Sequence, residues 1–461
     1  MKNGISMIPF GLLSGFMDGK EIRIIELAEE GLRLRLSEKA ASPESFLVCF
    51  YDMEQASYHE IEIRNYTIEK DKVSSELAEF CTEYTVFVNN ESYRQEVRKL
   101  QGQYSRYIRL KLEDDDEELA RVLTGYPEKK PVDYYNLEER QNYSLETAIE
   151  IDRPELYREY LQNDIKQLTE QCYEWKRITR NQSGSDKQNS NPDSASNIGY
   201  RFNLNRIYIG NQFCHLLFPS EKELFMMLEK AYKESLGITI AFSYIREFML
   251  ESIEKLVNRL AQWCREKDTC IEIIINDWAM ADIIARQNAE SEIKKSEDVN
   301  EMRQCLIPCL GILLNKRKKD PRFLYKKGDK SLYSQNNLNA DFYCEYLQRE
   351  FGIQRYEWES CGYEQEFPQG KNSLHLPYYQ TNTSQYCPVH AICTTGNRGT
   401  QHLIKECLHY CSTYTLTYPK NLNMTGRFNS LFGIDKELLE HPEKIAGYIN
   451  AGINRLVISW R

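Results

Sequence analysis

Four cysteines lie within one short stretch late in this chain, and a fifth stands far upstream. The late group consists of Cys387, Cys393, Cys407 and Cys411. The fifth, Cys214, comes just after the apolar run of residues 204–210. Thiols stay reduced in the cytosol, and thiolates are strong ligands for iron and zinc. The grouping therefore predicts a buried metal centre in preference to a disulfide framework.

The spacing of these cysteines suits a site made of four thiolates. Cys407 and Cys411 are four positions apart, which places both sulfurs on one side of a helical turn. Either Cys387 or Cys393 can supply the third ligand, and Cys214 the fourth. Such a set fits a [4Fe-4S] cluster or a zinc ion, and buried structural thiols are the remaining alternative. The paired CxxC knuckles of structural zinc are missing and one ligand is remote in sequence, which favours the cluster.

Length and composition are those of a multi-domain globular protein. The 461 residues exceed what one ordinary core organises, which indicates two or three domains. The net charge of -10 carries no whole-chain sign of nucleic-acid binding. The segment Met1–Met17 contains Pro9 and lacks a small-residue cleavage site, and no apolar run approaches the ~20 residues that span a bilayer. We therefore expect a cytoplasmic protein without membrane insertion.

Short alternating segments dominate the region from residue 21 to residue 112. Their β-branched and aromatic residues, and the turn signals between them, predict strands. The predicted strands are Glu21–Leu27, Leu32–Leu36, Phe46–Tyr51, Ile61–Ile68, Thr85–Asn89 and Tyr104–Leu112. This pattern is typical of a small antiparallel β-barrel, which we place in residues 1–135.

The segment Ile24–Leu34 resembles the second motif of the PilZ domain, an acid or amide, a serine and a glycine at fixed spacing. Gly31 matches the glycine, whereas Glu26 and Ala28 stand in place of the acid or amide and the serine. The paired arginines of the family do not precede the segment. The resemblance implies a PilZ-like barrel. Because of these departures, we expect it to dock a protein partner or to act structurally, and not to bind a cyclic dinucleotide.

A helix and then a polar stretch follow the predicted barrel. Asp152 as a cap and Pro154 in the first turn mark the start of the helix. Its apolar stripe consists of Tyr157, Leu161, Ile165, Leu168, Cys172 and Trp175. The stripe predicts an amphipathic connector that packs on a neighbouring domain, in preference to a dimerising coiled coil. We assign residues 136–180 to this connector and the Ser/Asn-rich residues 181–199 to a flexible linker.

Strands alternate with helices in the region from residue 200 to residue 461. The predicted strands are Leu204–Ile209, Ile238–Phe242, Cys270–Ile275, Leu310–Leu314, Gln354–Trp358, Ser373–Leu376, Tyr414–Tyr418 and Arg455–Ser459. Buried strands that alternate with helices imply parallel pairing, so these units predict a closed or partly closed (β/α) barrel. The expected fold class is multi-domain α/β, a small antiparallel β-barrel followed by a TIM-like (β/α) barrel.

Polar residues follow most of the predicted barrel strands. In a (β/α) barrel the chemistry lies in these loops, since the carboxyl ends of all strands meet at one rim. The predicted catalytic residues are Asn276, Asp277, Glu359, Tyr379 and Gln380. The predicted substrate-binding residues are Asn315, Lys316, Arg317, Asn382 and Asn423. Each residue by itself is more typical of a turn or a cap, so their concurrence at one rim carries the prediction.

The run Ile207–Cys214, with a helix and a second strand at Ile238 after it, resembles the opening of the peptidase U-32 (collagenase-like) family. The order of Cys387, Cys407 and Cys411 is similar to that of the later cluster cysteines in UbiU/UbiV-type members of this family. The resemblance implies a (β/α) barrel with a four-cysteine iron–sulfur cluster and a role in oxygen-independent hydroxylation. Relatives hydroxylate transfer or ribosomal RNA.

The chain departs from this family in two ways. The third cysteine spacing is longer than in UbiV-like proteins, and Cys393 is an additional cysteine. Both Cys387 and Cys393 therefore remain candidates for one ligand position. The HExxH and GxSxG motifs of peptidases are absent from the sequence, so the peptidase activity in the family's name is not expected here.

A basic run follows the fourth predicted barrel strand. It consists of Lys316, Arg317, Lys318, Lys319, Arg322, Lys326, Lys327 and Lys330, interleaved with Phe323 and Tyr325. Aromatic rings among phosphate-binding cations suit single-stranded RNA. A charge run by itself is more typical of a solvated loop. Its position at a strand end keeps RNA among the expected substrates.

Together these features predict an iron–sulfur-dependent enzyme that hydroxylates or otherwise modifies an RNA base or an aromatic small molecule. A [4Fe-4S] cluster would handle electrons or polarise an oxygen donor, and the rim residues would orient the substrate. The alternative is a non-catalytic, metal-stabilised protein that recognises RNA or a protein partner. An enzyme requires an open, polar cavity beside the metal, whereas a binding scaffold would fill this space with apolar side chains.

Overall fold

The computed structural model of the protein divides into two compact units, of which the second comprises residues 127–319, 333–417 and 424–461 and the first comprises the others. Each unit is described by itself. The structure describes residues 13–18, 20–36, 45–52, 55, 57–71, 81–112, 126–129, 145–165, 167–168, 204–293, 304–315, 317, 319, 334–363, 365–397, 399–417, 424–435, 438, 441 and 444–459.

The N-terminal unit is built on an antiparallel sheet of seven strands. They are β1 (Leu13–Met17), β2 (Lys20–Ala28), β3 (Gly31–Leu36), β4 (Phe46–Asp52), β5 (Ser57–Ile63), β6 (Tyr66–Lys70) and β7 (Thr82–Val88). Their order is β5-β4-β1-β2-β3-β7-β6, and every neighbouring pair is antiparallel. The predicted antiparallel character is confirmed. The order of the described strands is that of an open sheet, so the PilZ-like barrel stays a prediction.

A helix covers one face of this sheet, and it corrects one predicted strand. The helix spans Glu91–Leu112 and therefore includes Tyr104–Leu112, for which the sequence predicted a strand. Tyr93, Val97 and Leu100 recur at helical spacing and are buried against the sheet core. The hydroxyl of Tyr93 lies within hydrogen-bond distance of two main-chain carbonyls in the turn between β2 and β3. The buried residues of this segment recur every three or four positions instead of every second position, which is the pattern of a helix and not of a strand.

The second unit contains a closed barrel of eight parallel strands, as predicted. The strands are β9 (Glu146–Ile151), β10 (Leu204–Gly210), β11 (Gly237–Ala241), β12 (Ile271–Ile275), β13 (Leu306–Leu310), β14 (Arg355–Glu359), β15 (Lys371–Leu376) and β20 (Ile453–Ile458). They follow one another around the barrel in this order, and β20 closes onto β9. Every neighbouring pair is parallel.

The first barrel strand differs from the prediction. Strand β9 lies in the segment assigned to the connector, whereas predicted strand Tyr414–Tyr418 does not belong to the barrel. The helix Pro154–Gln162 follows β9 and packs Leu156, Tyr157 and Tyr160 into the barrel core. It is thus the crossover of the first βαβ unit, because two parallel strands require such a connection. The helix thus packs within the barrel unit and not on a neighbouring domain, while Cys172, Trp175 and the predicted linker 181–199 lie outside the described residues.

A smaller sheet combines four strands from the segment between β15 and β20 with one strand that precedes the barrel strands in the chain. Its strands are β8 (Tyr126–Lys129), β16 (Tyr378–Thr383), β17 (Tyr414–Thr417), β18 (Met424–Arg427) and β19 (Ser430–Ile434), in the order β16-β19-β18-β17-β8. Strand β16 starts two residues after β15 ends, so this sheet begins at the carboxyl-terminal end of the barrel. The segment Tyr414–Thr417 pairs here with β18 in antiparallel register.

Helices surround the barrel strands. Besides Pro154–Gln162, the helices of the second unit are Glu221–Lys233, Leu250–Glu266, Trp278–Ile293, Asp341–Phe351, Pro388–Thr395 and Lys444–Asn450. Its 3-10 turns are His215–Leu217, Glu247–Met249, Asn337–Asn339 and Tyr410–Ser412. Apolar side chains between strands and helices form the main core of this unit. None of the helices in the described part of the chain is long and apolar enough to cross a bilayer.

Charged side chains fill the amino-terminal half of the barrel interior. Arg455 is only 1% exposed; it donates to both carboxylate oxygens of Glu272 at 2.5 and 2.9 Å and to Glu146 at 2.6 Å. Arg206 and Arg355 each lie 3.4 Å from Glu272. Burial acts to raise the pKa of Glu272, but the bonds and charges of these arginines hold it at about 2. Buried charges are tolerated here because each has a partner.

Replacement of Arg455 should destabilise the barrel. We expect Arg455→Gln to lower the free energy of unfolding at neutral pH by about 3 kcal/mol, the lower end of the cost of breaking a buried ion pair. The lower end applies because Arg206 and Arg355 still face Glu272. Urea denaturation at pH 7 measures the loss, with Arg286→Gln on an exposed helix surface as the matched control. An equal loss in both variants would contradict the assignment.

The ion pair of Arg455 with Glu272 should make the free energy of unfolding depend on pH. The folded-state pKa of Glu272 lies below the ordinary value of about 4.3, so its stabilisation is complete above that pH and is lost as the pH falls toward 2. The difference between the wild type and Arg455→Gln should therefore shrink over this window.

Candidate functional site

An open cavity of about 500 Å³ lies at the carboxyl-terminal end of the barrel. It is lined by Tyr244, Asn276, Asp277, Trp278, Ile312, Leu313, Leu314, Asn315, Arg317, Lys319, Gln380, Thr381, Asn382, Thr383, Ser384 and Gln385. These residues follow β11, β12 and β13 or belong to β16 and the turn after it. Loops from separate strands meet here because parallel strands end at one rim.

The structure brings six of the predicted site residues to this cavity. They are Asn276, Asp277, Asn315, Arg317, Gln380 and Asn382. Glu359 lies directly beneath and is fully buried. Tyr379 points elsewhere, since its ring packs against Gly433 of β19 and is 1% exposed, which leaves it no route to a bound substrate. Lys316 and Asn423 lie outside the described residues.

Asn276 and Asp277 hold the loops of the rim together. Asn276 donates through Nδ2 to the carbonyl of Phe242 at 2.8 Å and accepts from the backbone N–H of Leu313 at 3.0 Å. A Cβ on Gly311 would stand 2.2 Å from Asn276 Oδ1, so only glycine fits at the turn after β13. Asn276 is therefore a positioning residue, and its contacts give no support to the predicted catalytic role.

Asp277 caps the helix that starts at Trp278. Its Oδ1 accepts from the backbone N–H of Met280 at 2.9 Å, and its Oδ2 accepts from the N–H of Ile245 at 2.6 Å. A carboxylate in this position satisfies an unpaired helix N–H and faces the positive end of the helix dipole. Both oxygens are thus engaged by main chain, which gives Asp277 a structural role, and its catalytic role stays a prediction.

A buried ion pair lies at the floor of the cavity. Lys319 Nζ donates to Glu359 Oε2 at 2.6 Å and to Gln380 Oε1 at 3.2 Å, and the Lys319 side chain is 7% exposed. Glu359 Oε1 accepts from the backbone N–H of Gln380 at 2.8 Å. Burial lowers the pKa of Lys319, while Glu359 opposes this shift. The pair fixes Gln380 so that its side chain borders the cavity.

Two polar groups at the cavity are left without partners. Arg317 donates through Nη2 to the carbonyl of Glu359, while its Nη1 is buried without a hydrogen-bond partner. Asn315 donates to the carbonyl of Glu357 at 3.0 Å, while its Oδ1 is buried and unpartnered. Buried polar atoms are nearly always paired in folded proteins. An unpaired donor and acceptor at one cavity therefore indicate a ligand site.

Three elements carry the cysteines. Cys214 follows β10 and precedes the turn His215–Leu217. The backbone N–H groups of Leu216 and Leu217 in this turn act to lower the pKa of Cys214, against the effect of burial. Cys387 caps the helix Pro388–Thr395, and its sulfur accepts from the N–H of His390 at 3.5 Å. Cys411 lies in the turn Tyr410–Ser412.

Cys407 lies just before this turn in a short loop. Its sulfur accepts from the N–H of His409 at 3.3 Å. His409 adopts a left-handed conformation, with φ of +56°. The left-handed turn thus lets its main chain reach back to the sulfur. His409 Nε2 lies 3.0 Å from the carbonyl of Leu216, which ties this loop to the one that carries Cys214.

Two of the five cysteines lie in one apolar cluster. Cys214 and Cys411 both pack there, although they come from distant parts of the chain. Burial raises the pKa of Cys214 to about 12, and the thiols of Cys387 and Cys407 act in the same direction. Burial raises the pKa of Cys411 well above its usual value, and Cys214, Cys387 and Cys407 add to this. A joint site of Cys214 with the late group stays a prediction.

Cys393 takes a more peripheral place. Its pKa is raised by burial and then by Cys407. Burial raises the pKa of Cys387 to about 11, and Cys393 adds to this increase. Cys387, by contrast, influences both Cys214 and Cys411. Both Cys387 and Cys393 remain candidates for the third ligand, and the wider influence of Cys387 on the other thiols favours Cys387.

The four thiols lie in a largely apolar setting. Cys411 and Cys214 belong to a cluster that also contains Phe213, Leu217, Ile312, Tyr378, Phe428 and Phe432. Arg427 is 4% exposed and lowers the pKa of Cys411, opposing the effect of burial. In the described part of the chain, no three His, Cys, Asp or Glu side chains stand at the spacing that holds a metal ion. Thiols are the donor type that iron–sulfur clusters and zinc prefer, and N–H groups approach the sulfurs of Cys214, Cys387 and Cys407, so a metal on these residues stays a prediction.

The cavity and the thiol group share a wall. Ile312 and Leu313 line the cavity and also pack in the apolar cluster around Cys214 and Cys411. Tyr244 lines the cavity too, and its pKa is raised by burial and, among lesser causes, by Cys214. A molecule in the cavity would therefore be separated from Cys214 and Cys411 by this apolar wall.

Sequence reasoning missed two residues of this site. Lys319 was assigned to a basic run and Tyr244 to a loop, yet both border the cavity. The alternation of Arg317 and Lys319 directly after a predicted strand was an available signal, since such side chains can point back to the rim. Tyr244 carried no signal, because its hydroxyl partners Ser384 and Asn429 lie about 140 residues or more away in sequence.

Comparisons with known proteins leave the family open. No family model matches the chain, and no curated protein matches it. One solved structure, the crystal structure of the uncharacterized Legionella protein Lpg0364, shares 10% identity over 22% of this chain and 96% of its own, with a TM-score of 0.17. A likeness this low carries no argument about fold or function. The resemblance to the U-32 family therefore stays a prediction.

The capping role of Asp277 is testable. We expect Asp277→Ala to lower the free energy of unfolding by about 1 kcal/mol, since helix caps contribute this much. Thermal or urea unfolding measures the loss. Asp282→Ala, an exposed carboxylate on the same helix, is the matched control and should change stability little. An unchanged stability of Asp277→Ala would contradict the structural role.

Proposed function

We propose that this chain is an iron–sulfur-dependent modifying enzyme that holds a [4Fe-4S] cluster on Cys214, Cys387, Cys407 and Cys411. One observation carries the proposal: Cys214 and Cys411 pack in an apolar cluster that shares Ile312 and Leu313 with an open, polar cavity at the carboxyl-terminal end of the barrel. Chemistry in (β/α) barrels takes place at this end. The substrate would occupy the cavity.

The surroundings of the thiols support an anionic cluster. Main-chain N–H groups of Leu216, His390 and His409 approach three of the sulfurs, and Arg427 places a buried positive charge near Cys411. Hydrogen bonds to sulfur, nearby charge and solvent exclusion are the means by which proteins tune such clusters. When bound, the cluster would supply electron transfer or polarise an oxygen donor.

The residues of the cavity would bind and orient the substrate. Trp278 is 44% exposed at the cavity and presents a ring on which an aromatic substrate could stack. Gln380 is held in place by Lys319 and Glu359, and Asn315 offers an unpaired acceptor. We infer oxygen-independent hydroxylation, or a related modification, of an RNA base or an aromatic small molecule.

The second candidate is a non-catalytic, metal-stabilised protein that recognises RNA or a protein partner. A scaffold of this kind has no need of an open polar cavity beside its metal. The cavity here is lined by amides, hydroxyls and buried charges, which favours the enzyme. Docking of a protein partner through the N-terminal unit is compatible with both candidates and stays a prediction.

Metal analysis after anaerobic purification tests the proposal first. We expect a broad absorption band near 400 nm and about four iron and four sulfide per chain, as a [4Fe-4S] cluster requires. Reconstitution with iron and sulfide should restore both if purification strips them. One tightly bound zinc per chain, or no metal after reconstitution, would overturn the enzyme proposal in favour of the metal-stabilised or metal-free binding protein.

Cysteine variants test the ligand set. Cys407→Ser should abolish the absorption band and the bound iron, because serine is a poor ligand for the cluster. Cys393→Ser, which alters the peripheral thiol, should retain about the wild-type iron content and serves as the matched control. Retained colour in Cys407→Ser would refute this assignment. Loss of iron in Cys393→Ser, with iron kept in Cys387→Ser, would exchange the roles of these two residues.

A further inference from the structure

Two cations lie side by side at the cavity, and one of them has an unpartnered donor. Arg317 Nη1 has no hydrogen-bond partner, although Cys361 and Glu359 beside the guanidinium help to raise the pKa of the arginine against the effect of burial. Lys319 shares the single buried carboxylate of Glu359. The two cations also act on each other, since Arg317 adds to the effect of burial in lowering the pKa of Lys319. A negative charge placed between them would relieve this repulsion.

The other acid at the cavity does not supply that charge. Both oxygens of Asp277 accept main-chain N–H groups, and the carboxylate stands at the positive end of a helix. The remaining lining groups beside the cations are neutral amides and hydroxyls. A buried arginine with a free donor is costly unless a ligand completes its hydrogen bonds.

We propose that Arg317 and Lys319 bind the carboxylate or phosphate group of a small acidic substrate in this cavity. The inference rests on the proposed function, in that it takes the cavity as the substrate site, and it names the substrate class. A guanidinium offers planar, paired donors that match both kinds of anion, and the ammonium adds a point charge. Asn315 Oδ1 would accept a donor from the same molecule, and Trp278 would stack on its ring.

The size and position of the site favour a small molecule over a polynucleotide. A cavity of about 500 Å³ lies within the usual range for drug-sized ligands. Arg317 and Lys319 are the described members of the basic run, and both side chains are withdrawn into the cavity. A phosphodiester chain is normally bound by solvated cations along a groove. These two cations are therefore poorly placed to follow a nucleic-acid backbone.

Calorimetric titration with small anions tests the inference. The probes are inorganic phosphate, benzoate and adenosine monophosphate, each at low ionic strength, with the full-length wild type and Arg317→Gln. We expect at least one probe to bind, and Arg317→Gln to weaken its binding at least tenfold. Arg317→Lys, which keeps the charge but loses the paired donors, should fall between them. Arg286→Gln, on the outer surface, is the matched control and should bind like the wild type.

A second variant covers the case in which Arg317→Gln does not fold, as judged by thermal unfolding. The double substitution Lys319→Gln with Glu359→Gln removes one cation and its partner together, so that no unpaired charge stays buried. This variant should also bind the anion at least tenfold more weakly. Binding of benzoate alone would assign a carboxylate substrate, and binding of the phosphate probes alone a phosphate monoester.

Two results would overturn the inference: no binding of any probe to the wild type, or equal binding by the wild type and the Arg317 and Lys319 variants. Binding of single-stranded RNA without any of the small anions would also overturn it. Titrations are run with the metal-loaded and the metal-stripped protein. Anion binding without any iron–sulfur cluster would leave the inference standing and the proposed function refuted, while a cluster without anion binding would do the reverse.

Discussion

Closure of the parallel barrel is the constraint on which the rest of the structure depends. Strand β9 pairs with both β10 and β20, which joins the first and last strands of the barrel. Because all strands are parallel, closure brings every carboxyl end to one rim. The loop that carries Cys214 and the cavity residues after β12 and β13 are adjacent only for this reason. A barrel opened at β9 would leave the loop after β10 at a free edge.

Buried charge is handled differently at the two ends of the barrel. In the amino-terminal half, Arg455 donates to Glu146 and Glu272, and Arg206 and Arg355 face the carboxylate of Glu272, although Arg355 Nε makes no hydrogen bond. At the carboxyl-terminal rim, Arg317 and Asn315 keep unpaired atoms beside a cavity. Natural proteins accept such incomplete pairing where a ligand completes it. The contrast separates the part of the barrel that supports the fold from the part that is available for function.

The inserted sheet places three of the four thiols. The helix that Cys387 caps follows β16, and Cys407 and Cys411 precede β17, so all three belong to the segment between β15 and β20. Contacts such as that of His409 with the carbonyl of Leu216 hold this segment against the loop after β10. These three thiols therefore lie in an insertion on the barrel, whereas the cavity is formed mainly by barrel loops. Ile312 and Leu313 join the two.

Sequence patterns by themselves determined the parallel barrel, six of its strands and six of the residues that line the cavity, because strand–helix alternation and polar residues at strand ends are local signals. They also identified the cysteines by residue type. Only the tertiary structure decided that β9 closes the barrel, that β13 ends at Leu310 where the predicted strand Leu310–Leu314 begins, and that Asp277 is a helix cap. These outcomes depend on contacts between residues far apart in the chain, and no local pattern encodes which distant partner a side chain meets.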